Sequence, residues 1–169
     1  LVDCVLNFTG ERSQDLRILR SHKNRFGTTS EIGAFEMAEE GLIEVPNLSE
    51  SFLEGMDLAL EGAAVTAVYE GTRPLLLEIQ ALAAPANVGF ARRTAIGVDN
   101  TRLNMILAVL DRKAGISLIN HDIYVNIVGG LRPEDTSIDL AVAMAVYSAY
   151  KRIPIDPKTL FLGEIGLTG

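Results

Sequence analysis

From Glu39 to Glu61 the chain is acidic and is broken by Pro46, Asn47, Ser49 and Ser51, the composition of a linker rather than of a helix or sheet interior. Apolar anchors such as Leu53 and Met56 would hold this stretch against its neighbours. A chain of 169 residues divided there holds one small domain and a piece of another. The expected organisation is therefore a first unit over residues 1–50, an acidic linker over 51–62 and a second unit over 63–169.

The two halves differ in rhythm. Residues 2–8 alternate as a buried strand, which makes Cys4 a buried structural thiol. Residues 9–15 have turn composition and Leu16–Lys23 resumes an extended pattern, so a hairpin is expected, with Ile32–Met37 as a further strand. Beyond Gly62 the pattern is α/β. Ala64–Tyr69 and Leu75–Leu82 read as strands joined by the turn at 70–74. Asn100 or Thr101 would cap a helix whose Leu103, Ile106, Leu107 and Leu110 form one apolar face, ended by Gly115. A strand follows over Ile123–Val128, then an apolar helix opened by Thr136 or Ser137 and stopped before Pro154, then a strand over Thr159–Leu162.

The net charge of −7 would discourage a nucleic-acid partner if it were spread evenly, and it is not. Residues 31–80 hold eleven acids against the single base Arg73, whereas residues 1–30 hold five bases against three acids and residues 81–113 five against two. Nucleic acid responds to such local patches, so DNA is not excluded. No apolar run approaches the ~20 residues of a membrane span. One cysteine cannot form an internal disulfide, which fits a reducing cytoplasm. The start at Leu1-Val2-Asp3 lacks an initiator methionine and a signal peptide and reads as mid-strand, so a fragment of a longer protein is expected.

Directly after the run Leu16–Arg20 stands Lys23-Asn24-Arg25-Phe26-Gly27. A lysine point charge beside a planar guanidinium fork, held at a strand end, suits phosphate capture. The alternative is a solvated basic turn. Phe26 could stack on a nucleic-acid base or pack the loop against its own sheet. No phosphate loop of the Gly-x-x-x-x-Gly-Lys-Ser/Thr type occurs, so the chain is not expected to hydrolyse ATP alone. His22 reads as a polar loop residue and His121 stands alone, so no metal site is expected.

These residues carry a family resemblance. Val2–Arg12, Arg17–Arg20 and Lys23–Met37, above all the Lys-Asn-Arg-Phe-Gly element, closely resemble the bacterial RadA (Sms) DNA-repair ATPases, over essentially the whole chain. The resemblance implies a RecA-like motor using ATP and Mg, a hexameric ring on single-stranded DNA, branch migration of recombination intermediates and a recombinase filament as partner. It implies a zinc module near the whole protein's N-terminus, outside these residues, and no cofactor in this fragment. A similar Lys-x-Arg in hexameric helicases related to DnaB reaches the terminal phosphate on the neighbouring subunit. By that likeness Lys23 would be a phosphate sensor and Arg25 an arginine finger, both acting in trans.

Residues 63–169 resemble the proteolytic domain of Lon proteases, through Asp122–Gly130, the helix opened at Ser137 and Gly163–Gly169. The implied fold class is α/β: an α+β Lon-like domain, truncated at its C-terminus, preceded by terminal β-strands of a RecA-like ATPase domain. Ser137 takes the place of the nucleophile, but Lon enzymes set Gly-Pro before it and Ala-Gly after it. Here Asp135-Thr136 and Ile138-Asp139 stand instead, and both aspartates would repel a developing oxyanion. The activating lysine would lie beyond Gly169, with Lys151 and Lys158 as poor substitutes. Ser137 is therefore expected to be a helix cap and the domain a non-proteolytic scaffold. Arg92 and Arg93, with Arg102 and the Arg112-Lys113 pair, form the best basic patch for DNA; solvated surface arginines are the alternative. A Lon-type serine peptidase and a pure oligomerisation scaffold remain the competing functions.

Overall fold

A computed structural model describes residues 2–9, 16–47, 49, 50, 53, 59–86 and 90–169. Most of the expected 51–62 linker, with Met56, and most of the 9–15 turn lie outside the described residues. The fold is α/β, built on two four-stranded sheets.

The first sheet is an antiparallel meander of β1 (Cys4–Thr9), β2 (Leu16–Asn24), β3 (Ile32–Ala38) and β4 (Gly41–Glu44). The second has the order β5-β6-β8-β7, from β5 (Ala63–Glu70), β6 (Arg73–Pro85), β7 (Arg93–Ile96) and β8 (His121–Ile127). Only β7 and β8 run parallel, and the helix α1 (Asn100–Ala114) makes the crossover between them, as parallel pairing requires. After β8 a 3₁₀ turn (Thr136–Ile138) leads into α2 (Asp139–Lys151), which packs on β5 and β6.

Period-two alternation puts Leu75, Leu77 and Ile79 of β6 and Ile123, Val125 and Ile127 of β8 into the core. The expected stripe of α1, Leu103, Ile106, Leu107 and Leu110, meets them, and Gly115 closes the helix in the left-handed region. Ile18, Ile32 and Ala34 of the first sheet join the same buried cluster as Val68 and Leu75 of the second, so the two sheets share a core.

Several local expectations are corrected. Residues of β1 are exposed throughout, Cys4 included, because among the described residues β1 is an edge strand that only β2 pairs and no further layer covers. The α1 cap is Asp99, whose carboxylate accepts the Arg102 N–H at 2.9 Å, rather than Asn100 or Thr101. Ser137 caps nothing; Asp135 accepts the Ser137 N–H at 2.9 Å and starts the 3₁₀ turn. His22 lies within β2, its Nε2 3.4 Å from the Asn7 amide, and not in a loop. Thr159–Leu162 forms only a single bridge, Leu160 to Val65. Gly41–Glu44, expected at the start of the acidic linker stretch, instead pairs with β3 as β4, and it and β7, four residues each, are too short to show a period in sequence.

Candidate functional site

The Lys23–Gly27 element forms the exposed turn that ends β2. Its organiser is Asn24, which is only half-buried. The Asn24 Oδ1 accepts the Phe26 N–H at 3.1 Å and its Nδ2 donates to the Thr28 carbonyl at 3.3 Å. This side chain thereby replaces the backbone pairing that the turn leaves open. A Cβ on Gly27 would stand 3.0 Å from that Nδ2, so glycine leaves room for the organising amide.

The two cations flank Asn24 and reach the same short segment. Lys23 Nζ donates to the Val2 carbonyl at 2.7 Å. The Arg25 backbone N–H donates to the Asp3 carbonyl at 2.9 Å, and its guanidinium meets the Asp3 carboxylate at 3.2 Å. Both tips remain in solvent, the Arg25 side chain being 69% exposed. Each has spare donors, since an ammonium carries three and a guanidinium five. Phe26 is 81% exposed, which overturns packing against its own sheet as its role.

The arginines of the expected basic patch, Arg92, Arg93 and Arg102, divide three ways. Arg92, just before β7, is exposed, and its N–H donates to Asp122 at 2.7 Å. Arg93 turns its guanidinium inward, onto the carbonyls of Leu118 (2.8 Å), Arg92 (2.9 Å) and His121. Burial lowers its pKa, partly countered by the charge of Asp122. Arg102 is the correction. Its Nε donates to Asp139 Oδ1 at 2.9 Å while Nη2 binds Asp139 Oδ2, and Glu164 lies 3.3 Å from Nη2. The hydrogen bond to Asp139 holds the guanidinium above its ordinary pKa. A fork spent on a fully buried carboxylate is not part of a solvated patch.

That pair also changes the reading of Ser137. Asp139 was expected to repel an oxyanion; it is compensated by Arg102 and accepts the Ile165 N–H at 3.0 Å. The Ser137 carbonyl accepts the Gly163 N–H at 2.8 Å, and the Leu140 N–H donates to the Gly163 carbonyl at 3.0 Å. The 163–169 segment is thus tied across the start of α2. A cavity of about 640 Å³ opens beside it, lined by Thr136 and Ile138 but not by Ser137 between them. Of the substitute lysines, Lys151 sits 5.1 Å above the Tyr150 ring, and Lys158 lies in a turn formed on Asp156. Neither is hydrogen-bonded to Ser137.

Among the described residues no three His, Cys, Asp or Glu side chains converge on a possible metal site. No helix among them is long and apolar enough to cross a membrane.

Comparison with known proteins places the chain. The family described as subunit ChlI of Mg-chelatase matches residues 81–169, from within β6 onward. The DNA repair protein RadA of Bacillus subtilis is 48% identical over all 169 residues, which make up 37% of that protein. The protein of the same description from Streptococcus pyogenes serotype M3 is 50% identical, again over the whole chain and 37% of the relative. That from Streptococcus pneumoniae is 49% identical over the whole chain and 40% of the relative. The chain therefore spans about two fifths of the length of these relatives. Over residues 81–169, more than half of its length, the chain belongs to the family described as subunit ChlI of Mg-chelatase, and from end to end it is similar to a stretch of the bacterial DNA repair protein RadA.

Proposed function

We propose that this chain is the part of a DNA-repair ATPase that completes a neighbouring subunit's nucleotide pocket. The observation that carries the reading is the turn at Lys23–Gly27, in which Asn24 fixes the backbone while two cations keep free donors in solvent. The residues that would cradle ATP and Mg lie outside this chain; Lys23 and Arg25 fit the exposed terminal phosphate. When bound there, the nucleotide would supply a phosphoryl group whose charge is spread over its three equatorial oxygens in the transition state. Arg25 would present two parallel N–H donors to those oxygens, and Lys23 would mark the phosphate as a compact charge. Because both cations come from a second protomer, turnover depends on assembly, here read as a hexameric ring.

The wider role in this reading is homologous recombination in the cytoplasm, on single-stranded DNA beside a recombinase filament, with branch migration as the work done. Exposed Arg92 is the second domain's DNA-phosphate contact and Phe26 is available to a base. The second domain is a Lon-like, non-proteolytic scaffold. The peptidase alternative is disfavoured by the tied Ser137 carbonyl and by the absence of a lysine hydrogen-bonded to Ser137 among the described residues. A pure scaffold would draw support from exposed apolar side chains among the described residues, Phe8 and Ile43 on the first sheet and Tyr69, Leu82 and Ile96 on the second.

In the full-length protein, Lys23→Ala and Arg25→Ala should each abolish DNA-stimulated ATP hydrolysis while nucleotide still binds. The loss for Arg25 should fall in the roughly 10³–10⁵-fold range of arginine fingers. Unchanged turnover would eliminate the proposal. Arg92→Ala should reduce the slope of log affinity against log salt by about one, measured by fluorescence titration on single-stranded DNA.

A further inference from the structure

The tip of the β5–β6 hairpin belongs to the second domain, yet it grips both limbs of the basic loop. Glu70 pairs with Arg73 in the register, leaving Gly71 and Thr72 as the two-residue connection. The Thr72 N–H donates to the Ser30 carbonyl at 2.8 Å. Ser30 in turn donates its N–H to Thr28 Oγ1 at 3.0 Å, and the Thr28 carbonyl accepts from Asn24. A continuous hydrogen-bonded path thus runs from the hairpin tip to the side chain that organises the turn. On the other limb, Arg20 of β2 meets Glu70 at 2.9 Å, with the Glu70 side chain only 15% exposed.

The approach is close enough to dictate residue type. Gly71 has a φ of +63°, and a Cβ there would lie 1.8 Å from the Ser30 carbonyl oxygen. Only glycine allows both the left-handed backbone and this contact. Beneath the tip, Ile18 and Ile32 from the loop's strands are buried in one cluster with Val68 and Leu75 of the hairpin.

We infer that Glu70, Gly71 and Thr72 are positioning residues for Lys23 and Arg25, so that the second domain governs where the motor's trans-acting cations point. The inference rests on the catalytic reading of those two side chains. It makes the hairpin a mechanical link: an event that shifts the second domain also shifts the loop.

The test uses the full-length protein with Gly71→Val and, as a milder change that keeps the fold, Glu70→Gln. Backbone hydrogen exchange over residues 24–30 should quicken by about tenfold or more in Gly71→Val while α1 and α2 keep their protection. DNA-stimulated kcat should fall by up to about 10²-fold at unchanged KM for ATP, the scale of a 1 Å misplacement. The charge swap Arg20→Glu with Glu70→Arg should recover turnover relative to Arg20→Glu alone. Native exchange over 24–30 in both folded variants overturns the inference, and so does exchange that quickens equally in α1 and α2. The exchange readout stands apart from catalysis. If Lys23→Ala and Arg25→Ala leave turnover intact while exchange still responds, the catalytic reading falls and the clamp stands.

Discussion

Arg25 and Arg102 each pair with an aspartate, and the two pairs are chemically opposite. Asp3, the partner of Arg25, is more than half exposed, and the contact is a single one at 3.2 Å. Asp139, the partner of Arg102, is 1% exposed and is held by both arms of the guanidinium. An exposed pair competes with water and salt and costs little to exchange for another anion. A buried carboxylate deprived of its cation has no such substitute. The first arginine is therefore available to a phosphate and the second is committed to the fold. Arg92 and Arg93 repeat the contrast on neighbouring residues, one in solvent and one turned onto carbonyls.

The sharpest break of this comparison is Arg102→Ala. It should destabilise the protein by about 3–5 kcal/mol by leaving Asp139 buried and unpaired. That corresponds to a fall in Tm of roughly 6–20 °C for a chain of this size, read by thermal unfolding. Replacing both members, Arg102→Met with Asp139→Leu, should restore most of the loss; failure to do so would mean that the pair does more than compensate itself. Arg102 adds no pH dependence of its own. A cation whose pKa is raised on folding gives its stability below its ordinary value, and for a guanidinium that value already lies far above neutral pH.

The smallest effect should come from the other pair. Asp3→Asn should change stability by less than about 1 kcal/mol, with the difference shrinking further at high salt. A large effect would mean that Asp3 holds the loop rather than lending it a replaceable partner. In that event Arg25 would resemble Arg102 and the proposed role in trans would lose its basis.

Much of this was legible beforehand where the cause is local. The α1 stripe and its Gly115 stop follow from helical period and left-handed geometry, and the motif at 23–27 announced its two cations directly. Neighbouring residues misled where context decides. Alternation over residues 2–8 marks an amphipathic strand but not what covers it, and here nothing among the described residues does. Asn24 stood in plain view as a spacer; its role as organiser needed the positions of Phe26 and Thr28. Gly71 had the look of an ordinary turn glycine, while its tightest constraint is Ser30, from the other sheet.

By itself, the order of residues determined the α/β class, the helix faces and which side chains carry charge, because these depend on periods and conformations spanning a few residues. Tertiary structure decided which charges remain usable. Arg102 meets Asp139 from 37 positions away, and Arg20 meets Glu70 across two sheets. Such pairings, and the burial that makes one of them costly to break, arise only when distant segments share a core, since electrostatic strength depends on the solvent that packing removes.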